Sequence, residues 1–479
     1  MSALWTGEAF AEAVGGRPIG LLPKSVFGVS IDTRSLKAGE AFFAITGDRT
    51  DGHNFLTAAA AAGASVLVVG EGRLAAMGRI TTPMIVVPDV LRALERLGEA
   101  ARERGRAKVI AVTGSAGKTT TKEALRQALG TVGSVHAADK SFNNHWGVPL
   151  TLSRMPEACD YAVFEIGMNH PGEIRPLTKL VKPDIAIVTL IAAAHLGHFE
   201  SLEEIADAKA EIFEGLAEGG AALINRDDAH YDRLRAAAEK AGVRRILGFG
   251  EHASADYRLV SFTLSGDHST ASVSIRGEEI GLRVGAPGRH ILQNALAVLG
   301  AADLAGADVL KAAEGLAEWQ AERGRGQRHA LPHPKGGTLT LIDESYNANP
   351  ASMRAALALL AATPTAKDGR RIAVLGDMLE LGKHSEGLHA GLAEAVLLAR
   401  PDLVLLAGAE MSALAKALPT SIAVEHRASV DELQPVLLDA VSGGDVIMVK
   451  SSNGIGSSRL VDALVERFPA APKPKARRA

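Results

Sequence analysis

A glycine-rich segment at residues 114–117 carries the residue types that hold phosphate groups. Apolar residues Val109–Thr113 precede it and predict a buried strand, and Lys122–Leu129 has the composition of a helix. Between them stand Gly114, Ser115, Ala116, Gly117, Lys118, Thr119 and Thr120. In such a strand–loop–helix, backbone N–H groups bind phosphates, a lysine adds positive charge and a hydroxyl can ligate Mg²⁺. The segment therefore predicts a nucleoside triphosphate site, with an ordinary glycine-rich turn and an exposed lysine as the alternative.

Other polar side chains follow the predicted strands of the same region. Glu165 ends the strand Tyr161–Glu165, and a carboxylate at the carboxyl end of a parallel strand points into the ligand crevice, where it can hold Mg²⁺. His195 follows the strand Ile185–Leu190 and is expected to be a single metal ligand or a polar anchor. Lys209 lies in an amphipathic helical pattern, for which the spacing alone predicts a solvated side chain.

Two further clusters of polar residues could bind a ligand or simply form turns. In Asp343–Pro350, Asn349 suits a helix N-cap and Pro350 the first helical position, whereas the acidic pair, Tyr346 and Asn347 form a polar loop with room for a ligand. The second cluster comprises Ser30-Ile-Asp-Thr-Arg34 and Asp51-Gly52-His53, which is turn chemistry as often as a binding site.

Alternating apolar runs and helical patterns predict an α/β chain of three domains. We place them at residues 1–105, 106–322 and 323–479, with charged, glycine-containing linkers between them and a disordered tail from about residue 469. The central domain is predicted as a P-loop-type, mostly parallel sheet with a small antiparallel addition at residues 256–284, and the third as a Rossmann-like doubly wound sheet. Expected elements include a strand at Val26–Ile31 and a helix at Ser385–Leu398.

The composition excludes several classes of protein. The 479 residues are 47% hydrophobic and 22% charged, as in globular proteins, and a net charge of −3 gives no electrostatic case for a nucleic-acid partner. Cys159 is the single cysteine, so no intrachain disulfide can form. The first ten residues lack a signal-peptide pattern, and no apolar run is long enough to span a bilayer. A cytoplasmic location is therefore expected.

Together these segments resemble the Mur ligases, the family that builds the peptidoglycan stem peptide. The resemblance runs from about Ser30 to about Gly456. It implies three α/β domains that bind, in order, the UDP end of the substrate, ATP and the incoming amine. The motifs that carry it are Ser30–Arg34 with Asp51–His53, Thr113–Thr120, Asn143–Leu152, Glu165–His170, Ala194–Leu196, Ala208-Lys209, Gly288–His290 with Asn294, and Ser345–Pro350.

The resemblance also implies roles for individual residues. The ATP phosphates would be bound by residues 114–120, and the rest of the nucleotide by Asn294, Arg325 (or Arg328), Asp343 (or Glu344), Tyr346, Asn347 and Asn349. Two Mg²⁺ ions would be held by Thr119, Glu165, His195 and an N-carboxylated Lys209, with Lys118, Lys209 and His195 as the catalytic residues. The UDP end of the substrate would meet Ser30, Thr33, Arg34, Asp51, Gly52, His53, Asn143 and Asn144.

Two motifs narrow the implied activity. Ser345–Pro350 and Asn143–Leu152 are similar to segments of the family members that add D-alanyl-D-alanine. The resemblance therefore implies an ATP-dependent amide ligase that works through an acyl phosphate, with UDP-MurNAc-tripeptide as acceptor, D-alanyl-D-alanine as amine and a monomeric state. The alternatives are another Mur-type or folylpolyglutamate synthetase-like ligase, and a nucleotide-binding regulator without turnover.

Overall fold

The chain is arranged around separate β-sheets that follow one another along the sequence. The computed structural model describes residues 3–47, 50–76, 80–194 and 196–469. A five-stranded sheet belongs to the N-terminal part, a nine-stranded sheet to the central part and a six-stranded sheet to the C-terminal part, and a two-stranded ribbon accompanies the first. The α/β class with three domains, as predicted from the sequence, is confirmed.

The N-terminal part forms a sheet of order β2-β7-β6-β5-β4, with β1 and β3 paired apart from it. The predicted strand Val26–Ile31 is wrong, because the chain switches sheets at Phe27–Gly28, where the Phe27 N–H donates to the carbonyl of Gly39. The elements are β1 Trp5–Thr6, α1 Gly7–Val14, β2 Arg17–Ile19, β3 Ser25–Val26, β4 Val29–Ser30, β5 Ala41–Phe43, a 3₁₀ turn Gly52–Phe55, α2 Leu56–Ala61, β6 Val66–Gly70, a 3₁₀ turn Glu71–Ala76, β7 Met84–Val87 and α3 Val90–Arg104.

The central sheet has the order β16-β15-β14-β13-β12-β11-β8-β10-β9, parallel from β9 to β14 and antiparallel beyond. Its inner strands are continuous apolar runs because helices cover both faces. The elements are β8 Lys108–Thr113, α4 Lys118–Gly130, β9 Val135–Ala137, α5 Gly147–Ser153, β10 Tyr161–Glu165, α6 Ile174–Val181, β11 Ile185–Val188, a 3₁₀ turn Leu196–His198, α7 Leu202–Ala210, a 3₁₀ turn Glu211–Gly215, β12 Ala221–Asn225, α8 Tyr231–Lys240, β13 Arg245–Gly250, β14 Tyr257–Leu264, β15 Ser269–Ile275, β16 Glu278–Val284, α9 Arg289–Leu304 and α10 Val309–Glu318.

The C-terminal sheet is doubly wound, with order β17-β18-β22-β19-β20-β21 and only the edge strand β17 antiparallel. The predicted helix Ser385–Leu398 is wrong, because Gly391 and Leu392 separate two short helices. The elements are β17 Gln327–Pro332, β18 Thr338–Glu344, α11 Pro350–Ala362, β19 Arg371–Gly376, a 3₁₀ turn Gly382–His384, α12 Ser385–Ala390, α13 Ala393–Ala399, β20 Leu403–Ala407, α14 Met411–Ala417, β21 Ala423–Arg427, α15 Val430–Ala440, β22 Val446–Lys450, a 3₁₀ turn Asn453–Ile455 and α16 Ser458–Arg467.

We propose the domain limits from the positions of the two linkers between secondary-structure elements. Helix α3 ends at Arg104 and β8 begins at Lys108, while α10 ends at Glu318 and β17 begins at Gln327. We therefore keep 1–105, 106–322 and 323–479 as the proposed domains. The predicted disordered tail, apart from residue 469, lies outside the described residues. Within the described ranges, no helix is long and apolar enough to cross a membrane.

The N-terminal domain is packed firmly against the central one. Leu150 of α5 is 1% exposed and lies in the core of the N-terminal domain, where α5 packs on α3. Arg104 Nη2 donates to the Met155 carbonyl at 3.3 Å, and Arg154 Nε donates to the Val29 carbonyl at 2.6 Å. This shared core holds the first domain in a defined position beside the central sheet.

Leu150→Ala is expected to destabilise this junction. Removing a buried leucine side chain costs about 2–5 kcal/mol, since lost burial adds to the cavity left behind. Urea unfolding followed by tryptophan fluorescence should show the loss, because Trp5 and Trp146 border this core. Leu398→Ala is the control: Leu398 is 72% exposed, so its change should stay within about 0.5 kcal/mol. Equal midpoints for the two variants would show that α5 is not part of the first domain's core.

Candidate active site

The glycine-rich loop has a backbone conformation that glycine adopts far more readily than other residues. Gly114 and Gly117 have φ angles of 148° and 84°, which side chains rarely permit. A Cβ at Gly114 would lie 1.9 Å from Thr189 Oγ1, so the loop closes against the end of β11 only with glycine at this position. Helix α4 begins at Lys118 directly after the loop, and the N–H groups of its first turn therefore face the loop's opening.

Lys118 is held across the mouth of this loop. Its Nζ donates to the Gly114 carbonyl at 2.7 Å. Burial lowers the pKa of Lys118, the charge of Glu165 partly opposes this shift and that of Arg325 adds to it. A half-buried cation whose only hydrogen bond in the described structure is to a neutral carbonyl gains strongly from an anionic ligand.

Glu165 is a buried carboxylate surrounded by hydroxyl and amide donors. Its Oε2 accepts from Thr119 Oγ1 at 2.8 Å, and its Oε1 accepts from Ser141 Oγ at 2.8 Å and Asn143 Nδ2 at 2.7 Å. Asn143, which the resemblance assigned to the UDP end, thus lies at the phosphate loop, whereas Asn144 Oδ1 accepts from the Gly147 N–H at 2.9 Å at the start of α5. The oxygen atoms of Glu165 and Thr119 suit a hard cation.

Thr189 and Asn225, which the sequence analysis did not single out, support the phosphate loop through hydrogen bonds. Thr189 Oγ1 donates to the Ala116 carbonyl at 2.6 Å, and Asn225 Nδ2 donates to the Thr189 carbonyl at 2.9 Å. Both residues line the cavity beside the loop. Each follows or ends a parallel strand, which is the same signal that pointed to Glu165.

A cavity of about 630 Å³ lies between the central and C-terminal domains. The phosphate loop and Glu165 form one wall, and residues of the third domain form the other. Asn349 Nδ2 donates to the Ser115 carbonyl at 3.1 Å while its Oδ1 caps α11, so this residue ties the two walls together. The other predicted nucleotide contacts that line the cavity are Asn294, Arg325, Tyr346 and Asn347.

The structure separates the alternatives that the sequence left open. The guanidinium of Arg325 lies 4.1 Å from the ring centre of Tyr346 in the cavity wall, whereas Arg328 turns away and donates to Thr363 Oγ1 at 2.9 Å. Asp343 is fully buried, lies outside the cavity wall and accepts from the Gly324 N–H at 2.8 Å.

Glu344, the next residue along β18, lines the cavity and pairs with Lys450 at 3.1 Å. The geometry therefore favours Arg325 over Arg328, and Glu344 over Asp343, as groups that face a ligand.

The predicted UDP contacts form a separate group in the N-terminal domain. Asp51 pairs with His53 Nδ1 at 2.6 Å, and His53 Nε2 accepts from the Gly70 N–H at 2.9 Å. A Cβ at Gly52 would lie 2.7 Å from the carbonyl carbon of Ala44, so this loop also has a packing reason for its sequence.

The other half of this group is a turn at residues 30–34. Ser30 Oγ donates to the Asp32 carbonyl at 3.0 Å, and the exposed Arg34 pairs with Asp32 at 2.7 Å. Thr33 lies in the same turn and is half-buried. None of the six predicted UDP contacts of the N-terminal domain lines the cavity between the other two domains.

Comparisons with known proteins cover almost the whole chain. Three family profiles match in succession: Mur ligase family, catalytic domain, at residues 25–104; Mur ligase middle domain at residues 112–302; and Mur ligase, glutamate ligase domain, at residues 324–453. UDP-N-acetylmuramoyl-tripeptide–D-alanyl-D-alanine ligase from Escherichia coli (strain K12) is 36% identical over 443 residues, which are 91% of this chain and 93% of that protein.

The enzyme of the same name from Rickettsia prowazekii is 33% identical over 434 residues, 91% of this chain and 94% of that one. The chain belongs to the Mur ligase family. Among solved structures, MurF from Acinetobacter baumannii superposes with a TM-score of 0.84 at 29% identity, covering 96% of this chain and 99% of the other. MurF from Thermotoga maritima in complex with ADP has the same fold, with a TM-score of 0.77 at 24% identity and coverage of 92% and 97%.

The Mur ligase resemblance implied that His195 and Lys209 are metal ligands, and the structure describes only Lys209. His195 lies outside the described residues. Lys209, for which helical spacing predicted a solvated side chain, is 2% exposed, and that prediction from spacing is wrong. Burial and the charge of Lys118 hold the pKa of Lys209 well below its ordinary value, so its amine is readily neutral. Lys209 is not part of the cavity wall itself.

Lys118→Ala is expected to weaken ATP binding without unfolding this Mur ligase. Hydrogen bonds to charged groups contribute about 1.5–3 kcal/mol, so affinity should fall roughly 10- to 150-fold. Isothermal titration calorimetry measures the affinity, and thermal melting checks the fold. Lys416→Ala, at an exposed position of α14, should bind ATP like the unaltered chain. Unchanged affinity in a folded Lys118→Ala variant would exclude Lys118 from phosphate binding.

Proposed function

We propose that this Mur ligase joins D-alanyl-D-alanine to UDP-N-acetylmuramoyl-tripeptide and converts ATP to ADP and phosphate. The observation that carries the proposal is the cavity in which the phosphate loop, Glu165 and the third-domain wall meet. Full-length relatives whose names state this reaction support it. We further propose that the chain acts as a monomer in the cytoplasm, during peptidoglycan precursor synthesis.

The proposed reaction has two chemical steps. A carboxylate is a poor electrophile and must first be activated. A carboxylate oxygen of the tripeptide therefore attacks the γ-phosphorus of ATP, the bond from that phosphorus to ADP breaks, and an acyl phosphate and ADP are formed. The dipeptide nitrogen then attacks the acyl carbon, the C–N bond forms, the C–O bond to phosphate breaks, and the displaced amine protons pass to phosphate and solvent. Water would hydrolyse the acyl phosphate, and the third domain, which encloses the cavity, would shield this intermediate from water.

The phosphate loop would supply electrostatic stabilisation to the first step. Backbone N–H groups of residues 115–120 and the Lys118 ammonium would bind the transferring phosphoryl group and offset its charge. Asn294 would contact the nucleotide beside Gly117, Arg325 and Tyr346 would border it from the third domain, and Asn347 and Asn349 would lie nearby.

The donor set fits Mg²⁺, which takes one or two carboxylates together with phosphate and water oxygens. The Glu165 carboxylate and the Thr119 hydroxyl are 2.8 Å apart at the phosphate loop, and these two would hold the ion. Within the described ranges no three His, Cys, Asp or Glu side chains cluster as a metal site, so phosphate oxygens are needed to complete the shell. When bound, Mg²⁺ would neutralise charge that develops on the phosphoryl oxygens.

A second ion would need a further anionic ligand. Lys209 can provide one as a carbamate, because a neutral buried amine can attack CO₂. The N–C bond forms, a proton is released to solvent, and the anionic product is favoured by the charge of Lys118 and by a bound cation. His195 is the remaining proposed ligand of the metal pair. Residues 30–34 and 51–53 are proposed to hold the UDP end of the substrate, and Asn144 is proposed to border it.

Phosphate release tests the proposed function. The chain should release phosphate only when UDP-MurNAc-tripeptide, D-alanyl-D-alanine and ATP are all present, and the comparison of meso-diaminopimelate and lysine tripeptides identifies the acceptor. A coupled phosphate assay, with mass spectrometry of the pentapeptide product, measures this. N-Acetyl-D-alanyl-D-alanine in place of the dipeptide is the control for amine dependence, because acetylation blocks the attacking nitrogen. ATP turnover that ignores both peptide substrates would contradict the proposal.

Lys209→Ala should abolish the anionic ligand proposed at this position. Activity is expected to fall about 10- to 100-fold or more, and added acetate or propionate should restore part of it by filling the vacated space. Unaltered enzyme should lose activity when CO₂ is stripped at mildly acid pH, because carbamate formation needs CO₂ and an unprotonated amine.

A readout independent of activity is the ¹³C NMR signal of a carbamate after exposure to ¹³CO₂, present in the unaltered chain and absent in Lys209→Ala. Lys240→Ala, at an exposed end of α8, is the control for general effects of lysine removal. A fully active Lys209→Ala variant would show that Lys209 has no role as a metal ligand.

A further inference from the structure

A second cavity, of about 720 Å³, lies in the central domain beside β13, β14 and the turn between β15 and β16. Strand β14 pairs with β13 only at Phe249 and Gly250, so residues 245–247 at the start of β13 have no neighbouring strand on that side. These residues border the cavity. Its volume is within the range of small-molecule sites, which is roughly 300–1,000 Å³.

Helix α9 shows that this cavity is separate from the phosphate loop. Near the start of α9, Asn294 lies beside the loop, since a Cβ at Gly117 would be 2.9 Å from Asn294 Oδ1. Asp303, nine residues later on the same helix, pairs with Arg276 of the cavity wall at 2.8 Å. Nine residues of α-helix span about 14 Å. The two cavities also share none of their described lining residues.

The wall of the second cavity is strongly basic. Four arginines lie in it, namely Arg244, Arg245, Arg258 and Arg276. Asp256 is the one acidic residue among the described lining residues, and its Oδ2 accepts from the Gly248 N–H at 2.8 Å. The whole chain has a net charge of −3, so this excess of positive charge is a local feature.

Three of the four arginines have no partner within the described ranges. Arg276 pairs with Asp303, whereas Arg244, Arg245 and Arg258 make no ion pair and no side-chain hydrogen bond with described residues. Arg258 is half-buried, and its guanidinium has five N–H donors to satisfy. A guanidinium that is partly removed from water and lacks an acceptor is stabilised by a bound anion.

A buried hydroxyl in the same wall also lacks a partner. Ser274 of β15 is 8% exposed and lines the cavity, and its hydroxyl makes no hydrogen bond in the described part of the chain. Ser274 stands directly opposite Arg258, so the two side chains lie on the same face of the sheet. Glu279, opposite Ser274 on β16, accepts instead from Ser272 Oγ at 3.3 Å. The hydroxyl and the guanidinium are thus neighbouring donors without an acceptor.

The origin of these donors favours a phosphate group over a carboxylate. Arginine binds both anions through paired N–H···O bonds. A carboxylate presents two oxygens in one plane, whereas a phosphate presents oxygens in several directions. The donors of this wall come from β13, β14 and β15, so they approach a ligand from different sides. A diphosphate also carries enough charge to neutralise more than one arginine.

We infer that this cavity binds a phosphate-bearing anion of the diphosphate class, with Arg258, Ser274 and Arg245 as its principal contacts. The inference is independent of the proposed function, which uses the other cavity. A soluble diphosphate and the phosphate head group of a lipid share this chemistry, and the experiment separates the two sources.

The test titrates the full chain with inorganic pyrophosphate and follows hydrogen–deuterium exchange by mass spectrometry. Pyrophosphate should slow the exchange of amides in residues 244–258, while slowing in residues 114–120 reports separately on the phosphate loop. In Arg258→Ala the affinity read from residues 244–258 should fall roughly 10- to 100-fold, since charge-assisted hydrogen bonds are lost. Arg258→Lys should lose less, because it keeps the charge without the planar guanidinium.

Arg283→Ala is the matched control. Arg283 is an exposed arginine of β16 outside the cavity wall, so its removal changes the net charge equally and should leave the affinity unchanged. Thermal melting checks that each variant is folded. Sedimentation with phosphatidic acid vesicles, against phosphatidylcholine vesicles, tests the lipid source.

Pyrophosphate protection of residues 244–258 that is weakened by Arg258→Ala and kept by Arg283→Ala would support a soluble diphosphate ligand. Binding to phosphatidic acid vesicles with the same dependence on Arg258, in the absence of pyrophosphate protection, would support a lipid head group in the same cavity. Protection confined to residues 114–120 without vesicle binding would overturn the inference. Equal losses in Arg258→Ala and Arg283→Ala would overturn it as well, because they would reflect overall charge alone.

Discussion

Parallel pairing of β8 with β10 and β11, and of β11 with β12, is the constraint on which the rest of the site depends. In a parallel sheet every strand ends at the same edge, and neighbouring strands are about 4.8 Å apart. The phosphate loop, Glu165, Thr189 and Asn225 are therefore brought together although they are far apart in the sequence. The buried apolar strands set this spacing, and the polar residues only have to stand at the right ends.

The same constraint explains which parts of the site were predictable from the sequence. The phosphate loop and Glu165 are each defined by a strand and the residue that follows it, and local patterns reveal both. Lys209 was misjudged because its surroundings come from other elements, and helical spacing does not report what packs on a helix. Asp343 and Glu344 are neighbours on β18, so their side chains point to opposite faces, and the sequence alone does not say which face meets the cavity.

For the fold, too, some elements could be predicted from the sequence and others could not. The central strands could be bounded closely from apolar runs, because helices cover both faces of the sheet and the strands between them are therefore apolar throughout. Val26–Ile31 and Ser385–Leu398 were wrong because a continuous pattern hid a change of sheet in one case and a break between helices in the other.

The hydrogen bond by which Asn349 joins the two cavity walls is held in a rigid geometry. Its amide oxygen is committed to the N-cap of α11, so the amide cannot rotate to follow the phosphate loop if the domains separate. A flexible side chain would let the bond stretch gradually, whereas this one loses its partner once the gap grows by about 1 Å. The hydrogen bond between Asn349 and the Ser115 carbonyl is therefore made only when the third domain lies directly against the phosphate loop.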